Sequence, residues 1–317
     1  MTTEIRIRYL ISGVRNVAEN FVRIRRNGAF PSACYGKVDT VIRAMRTKHK
    51  LAGLGLIGTS FYLGACGVLY LRQRKLVYMG NTDPRGDLPS QFTRWEDQGE
   101  FLGYKREQEQ PHALVFLHGS AHTAREWTRV TQHFPGDVYV VEYPGYGEKE
   151  GTPSELSLRQ AALRGFDIVP PHPGTTLLCG QSLGTGVAAA VLEARESKVQ
   201  GVVLITPFTS LKAVAKWKYP LFPVGWLLKD HFEVLPAWER FTGAAWALFA
   251  GKDEIIPAGT AKEFQKSAGP NKQVRVIPGC QHSGIVLQEE DWWQFLKADC
   301  VTSNLPGRQE PHLSPAG

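Results

Sequence analysis

Apolar positions follow two different patterns along the 317-residue chain. From Leu51 to Leu71 the run LAGLGLIGTSFYLGACGVLYL has neither a charge nor a polar stripe. Twenty-one residues at about 1.5 Å each make a helix of about 31 Å, the thickness of a bilayer's hydrocarbon core. A helix of a soluble domain keeps one polar face, so the run predicts a transmembrane helix over 51–71. Beyond it, short β-branched and aromatic runs alternate with helical periodicity, which predicts parallel strands joined by helices. Strands are expected near 101–107, 112–118, 137–142, 174–180, 199–205, 244–250 and 273–278, and helices over 123–133, 154–168, 183–196, 258–267 and 289–299. Several of these strands are apolar throughout, as strands covered on both faces must be. The expected fold is therefore α/β, a mostly parallel sheet flanked by helices.

Two segments break the alternation. Residues 212–240, rich in Trp, Pro and Lys, are too long for a plain connection and predict a short lid over the site. Residues 301–317, VTSNLPGRQEPHLSPAG, have almost no apolar content and predict a disordered tail. The chain then divides into an N-terminal arm over 1–50, the span, a body over 76–300, and the tail.

Composition adds location. With 43% apolar and 21% charged residues the chain is a globular protein with a sizeable core, not a disordered one. The net charge of +7 is unevenly spread: residues 1–50 hold eleven Lys and Arg against Glu4, Glu19 and Asp39. The arm is thus strongly basic and the rest nearly neutral. That excludes a nucleic-acid binder, which would carry its charge on the folded body. By the positive-inside rule the arm is expected in the cytoplasm and the body across an endomembrane. The Arg-rich residues 1–30 give a mitochondrial membrane as the alternative. No N-x-S/T sequon occurs, and the five cysteines show no metal-binding spacing.

Candidate chemistry centres on Gly180-Gln181-Ser182-Leu183-Gly184, a G-x-S-x-G pattern. It lies where an apolar strand, TTLLCG, turns into a helix, LGTGVAAAVLEA, the context in which such a serine is exposed as a nucleophile. Gly180 and Gly184 are expected where strand and helix come too close for a Cβ. The backbone N–H of Leu183, at the helix start, is a candidate oxyanion donor. The second is the N–H of Ser120, in the loop after LVFLHG, with Ala121 as the alternative. Asp253 follows the strand AAWALFA at the sheet edge where α/β proteins place their sites, with Glu254 the runner-up acid. His282 follows the last strand in PGCQHSG. Ser182, Asp253 and His282 occur in the chain order that this architecture requires. His118 is expected to be structural, and His112, His172 and His231 lie outside the expected site. No role can be derived for Gln181. Gly53-Leu54-Gly55-Leu56-Ile57-Gly58 spells G-x-G-x-x-G but lacks a preceding strand, so no dinucleotide site is expected. No metal and no cofactor are expected.

LHGSA, EYPGYGEKEGTPSE, GQSLGTGVA, TPFTSL, GKDEIIP and GCQHSG together resemble the α/β-hydrolase-fold serine hydrolases from about Lys75 to Leu296. The resemblance is to their membrane-anchored lipase and esterase branch, which includes lysophospholipid and monoacylglycerol lipases. It implies an α/β-hydrolase fold and a Ser182–His282–Asp253 triad with donors at Ser120 and Leu183. It also implies hydrolysis of a lipid-type ester or thioester through an acyl-enzyme. Ser120 stands where the family often has Asn, and Pro144 where it often has Arg. Two alternatives remain from the residues: a serine peptidase of the same fold, and a non-catalytic interaction protein.

Overall fold

The structure, a computed structural model, describes residues 32–80 and 86–285. It divides into two units, Met1–Ala65 and Cys66–Gly317. The expected helix over 289–299, the tail over 301–317 and most of the basic arm lie outside the described residues.

Helix α1 runs over Ser32–Val77 and ends on Arg74 and Lys75, cations that suit the negative end of the helix dipole. The predicted span falls inside it. Among the described residues no helix is long and apolar enough to cross a membrane. The side chains of Leu51, Ala52 and Leu54 lie outside those residues, so the described stretch is shorter than the predicted one. Leu56, Ile57, Phe61 and Leu63 are each more than 60% exposed.

Among the described residues eight strands form one sheet in the order β1-β2-β4-β3-β5-β6-β7-β8. The strands are β1 (Thr93–Asp97), β2 (Glu100–Arg106), β3 (Ala113–Leu117), β4 (Asp137–Val141), β5 (Thr176–Gln181), β6 (Gly201–Ile205), β7 (Ala244–Ala250) and β8 (Lys272–Ile277). Pairing is antiparallel for β1–β2 and β2–β4, and parallel from β4 to β8. Alternation along each central strand divides the core in two. Val115, Leu178, Val202 and Ala247 face one side, while Phe116, Cys179, Val203 and Leu248 face the other. Helices α3 (Glu155–Ile168) and α4 (Leu183–Arg195) pack on the first face through Leu158, Phe166, Val187 and Val191, and α2 (Ala124–Thr131) covers the second through Trp127. Covering on both faces explains why β3, β4, β6 and β7 are buried at every position.

Two expectations need correcting. Strand β1 carries no sequence signal: it is an edge strand whose one buried residue is Trp95, so no alternation marks it. The expected lid over 212–240 is three short helices with different fates. They are α5 (Leu211–Lys218), α6 (Val224–Leu227) and α7 (Leu235–Arg240). Phe232, Val234, Ala237 and Trp238 belong to the main core, so the C-terminal part of this stretch is body. The last helix among the described residues, α8 (Thr260–Lys266), precedes β8.

Strand β3 lies between β4 and β5, so the connections leaving β3 and β5 depart to opposite sides. A crevice forms at such a switch point, at the carboxyl ends of the strands. Leu117 pairs with Gly180 in register, which sets the Ser120 loop beside Ser182.

Candidate active site

Ser182 joins β5 to α4 with φ 51° and ψ −116°, a conformation that L-residues rarely adopt. Such a backbone costs about 1–3 kcal/mol and persists only where its surroundings enforce it. Here the Ser182 N–H donates to the Ile205 carbonyl at 2.8 Å, and Thr185 donates to the Ser182 carbonyl through its N–H at 2.9 Å and its hydroxyl at 2.7 Å. The glycines permit the approach. A Cβ on Gly180 would lie 2.5 Å from the Gly184 carbonyl oxygen, and one on Gly184 only 2.1 Å from that of Leu117.

His282, beyond β8, brings Nε2 to 2.9 Å from Ser182 Oγ. Its Nδ1 lies 2.9 and 3.0 Å from the two Asp253 carboxylate oxygens. A carboxylate there accepts the Nδ1 proton and leaves the Nε2 lone pair facing the serine. Asp253 is itself fixed, because Oδ1 accepts from the N–H groups of Ile255 at 2.9 Å and Ile256 at 2.7 Å. The His282 and Asp253 side chains are 4% and 8% exposed, so the array is shielded from bulk water. Glu254 faces elsewhere, accepting from the His282 backbone N–H at 3.2 Å.

A cavity of about 410 Å³ opens on this array, and Ser120, Ala121, Leu183, Ser182 and His282 all line it. Four of the residues singled out from the sequence, Ser182, His282, Ser120 and Leu183, thus line one cavity, and the fifth, Asp253, stands behind His282. The remaining lining is largely apolar, with Lys75 and Lys218 the cationic exceptions.

The loop carrying Ser120 is braced from behind. His118, fully buried, binds the Gly119 carbonyl through Nδ1 at 2.8 Å and Glu142 Oε1 through Nε2 at 2.9 Å. Glu142 also accepts from the N–H groups of Ala124 and Tyr143. Burial pushes the Tyr143 phenol well above its ordinary pKa, so it serves as a neutral donor to the His118 carbonyl at 3.2 Å. His112 and His172 likewise hold backbone, accepting from Thr175 N–H and bonding the Pro170 carbonyl. Among the described residues no group of three or more His, Cys, Asp or Glu side chains is placed to hold a metal ion.

Residues 114–249 match the model of the alpha/beta hydrolase family. The chain is 32% identical to lysophosphatidylserine lipase ABHD12 of Macaca fascicularis, over 63% of this chain and 57% of that protein. It is also 32% identical to Protein ABHD12B of Homo sapiens, over 54% of this chain and 55% of that one. The chain has the α/β-hydrolase fold and is similar to lipases and esterases. Among solved structures it shares that fold with the esterase Pf2001 of Pyrococcus furiosus, at a TM-score of 0.54 and 16% identity over 69% of this chain and 98% of that one. The chain spans little more than half the length of the macaque and human relatives.

Three features of the site carry no sequence signal. Leu76, Val77 and Met79, at and just beyond the end of α1, line the cavity, although the sequence marks them only as the far side of a span. Phe208 lines it too, from the TPFTSL segment after β6. Gln181 is buried and also lines the cavity, its amide oxygen occupying the place a Gly119 Cβ would need, at 2.1 Å. A Cβ at residue 119 would therefore require the Gln181 amide to move. No spacing signal announces any of these, because each depends on a fold-level juxtaposition.

Proposed function

We propose that the protein is a serine hydrolase of lipid-type carboxylic esters, acting through an acyl-enzyme. The observation that carries the reading is the continuous hydrogen-bonded array from Ser182 Oγ through His282 to Asp253. His282 Nε2 takes the serine proton as Oγ attacks the ester carbonyl, and Asp253 stabilises the imidazolium that forms. The N–H groups of Ser120 and Leu183 hold the oxyanion, each such donor being worth about 2.7–4 kcal/mol of barrier. His282 then passes its proton to the leaving alcohol, and water, activated by the same imidazole, releases the acid. Thioesters fit the same sequence of steps.

The lipid character of the substrate is supported by the apolar cavity wall and by the relatives' activity, lysophosphatidylserine hydrolysis in the macaque protein. Lys75 and Lys218 are the groups that would face an anionic part of such an ester. Helices α5 and α6 act as the lid. The apolar run over 51–71 anchors the chain in a membrane, with the basic arm on the cytoplasmic side. Exposed Leu56, Ile57, Phe61 and Leu63 support the anchor, since water is a poor solvent for such a surface. The test is steady-state hydrolysis of a lysophospholipid and of a monoacylglycerol by the purified full chain in detergent. Ser182→Ala is expected to lower kcat by about 10⁴-fold or more. Turnover of both esters by that variant at the wild-type rate would reject the reading.

A further inference from the structure

The peptide that joins Gly119 to Ser120 carries two groups that point opposite ways. In a trans peptide the carbonyl and the N–H of the next residue lie in one plane, on opposite sides of the C–N bond. Whatever holds the Gly119 carbonyl therefore aims the Ser120 N–H. The holder is His118. Its Nδ1 lies 2.8 Å from the Gly119 oxygen, and because a carbonyl only accepts, that nitrogen carries the proton. Since His118 is fully buried, the Ser120 N–H is turned the other way, toward the cavity that Ser120 and Ser182 both line. Among the described residues that N–H makes no hydrogen bond, so it is unspent. A donor on the carbonyl also polarises the peptide and strengthens its N–H.

The ring has no freedom to leave that carbonyl. Glu142 Oε1 stands 2.9 Å from Nε2, and both side chains are buried. Glu142 is pinned in its turn by the N–H groups of Ala124 at 3.1 Å and Tyr143 at 3.2 Å. The rings of Tyr143 and Tyr146 lie against the imidazole, with centroids 4.2 and 5.3 Å away. Gln181 closes the loop from the Gly119 Cα: its Oε1, buried without a hydrogen-bond partner, fills the space that a Cβ would take. An acceptor buried in this way is costly, so the fold has to hold it there.

We propose that His118 is a positioning residue of the reaction. Through Nδ1 it orients the Gly119–Ser120 peptide so that the Ser120 N–H meets the oxyanion, while Glu142 fixes the ring and Gln181 closes the loop beside it. The inference rests on the serine-hydrolase reading and adds that half of the oxyanion hole is set by a buried pair outside the triad. His118 and Glu142 lie too deep to touch the ester. Their effect falls on the transition state, where the negative charge on the oxygen develops, so losing the alignment lowers kcat and leaves KM in place.

The test uses two replacements that each keep one half of the ring's bonding. The amide nitrogen of Asn reaches the place of Nδ1, so His118→Asn keeps the bond to Gly119 and gives up Glu142. That of Gln reaches the place of Nε2, so His118→Gln keeps Glu142 and gives up Gly119. Hydrolysis of p-nitrophenyl butanoate by the full chain is measured beside Tm for both, with Ser182→Ala as the control. His118→Gln is expected to lose about 10²-fold or more in kcat, the worth of one oxyanion donor, with KM within about threefold of wild type. His118→Asn is expected to keep kcat within about tenfold of wild type at a Tm like that of His118→Gln. Equal losses of kcat in the two, or a His118→Gln kcat within about threefold of wild type, overturn the positioning role and leave the reaction standing. If either variant fails to fold, Tyr143→Phe decides, because it frees the His118 carbonyl next to the same peptide. A kcat lowered about threefold or more at unchanged KM then supports the role, and an unchanged kcat overturns it. Undiminished hydrolysis by Ser182→Ala overturns the reaction and the positioning role with it.

Discussion

Ser182 occupies a backbone conformation that two glycines and one carbonyl make possible, so the residue scale offers tests that separate structure from chemistry. Gly184→Ala puts a methyl 2.1 Å from the Leu117 oxygen and has no room to relax. It should cost about 1–3 kcal/mol or more, read as a lowered Tm together with lost activity. Asp253→Asn keeps the volume but removes the charge that faces Nδ1. Its Tm should stay near wild type while kcat falls by about 10⁴-fold, and a fall below tenfold would remove Asp253 from the triad. Gly119→Ala collides with the Gln181 amide, so Gln181→Ala in the same chain should restore part of what the first change loses. Ser182, Asp253 and His282 were legible because motif, strand edge and chain order agreed on them. Gln181 was not, since its role is to fill space beside a loop 62 positions earlier in the chain.

Most strands were legible from their burial, and β8, with no buried position, from its alternating β-branched residues. The central strands announce themselves because both faces are covered, whereas β1 buries only Trp95 and reads as loop. That edge is held by polar contacts instead. Glu148, in the loop after β4, accepts from the Tyr104 hydroxyl of β2 at 2.5 Å and pairs with Arg94 of β1. The Tyr104 hydrogen bond, seconded by Arg94, holds the Glu148 carboxyl below its ordinary pKa. A carboxylate with a depressed folded-state pKa stabilises the fold above its unfolded pKa, about 4.3, and loses that contribution as pH falls through the folded value. Glu148→Gln should therefore lower Tm at pH 7, and the two Tm curves should converge as pH falls through the folded-state value. The junction of α1 with the segment after α6 was invisible for another reason, since Arg74 and Asp230 stand 156 positions apart. Asp230→Ala leaves Arg74 and the Glu155 N–H without their acceptor. Because the Arg74 side chain is 43% exposed, the expected loss is about 1–3 kcal/mol, below that of a fully buried pair.

At the scale of the whole molecule, the arrangement we propose is a basic arm, an anchor over the apolar run and a nearly neutral α/β body. Lys replacements at Leu56, Ile57 and Leu63 should release the chain from vesicles into alkaline carbonate extract, where the unaltered chain stays with the lipid. In the proposed reading, hydrolysis depends on the array at Ser182 and not on anchoring. The most direct measurement is covalent labelling of the folded full chain with a fluorophosphonate, followed by intact mass and peptide mapping. The account predicts one adduct per chain, on Ser182, and none on Ser182→Ala. Equal labelling of the two proteins, or no labelling of folded wild type, would contradict it.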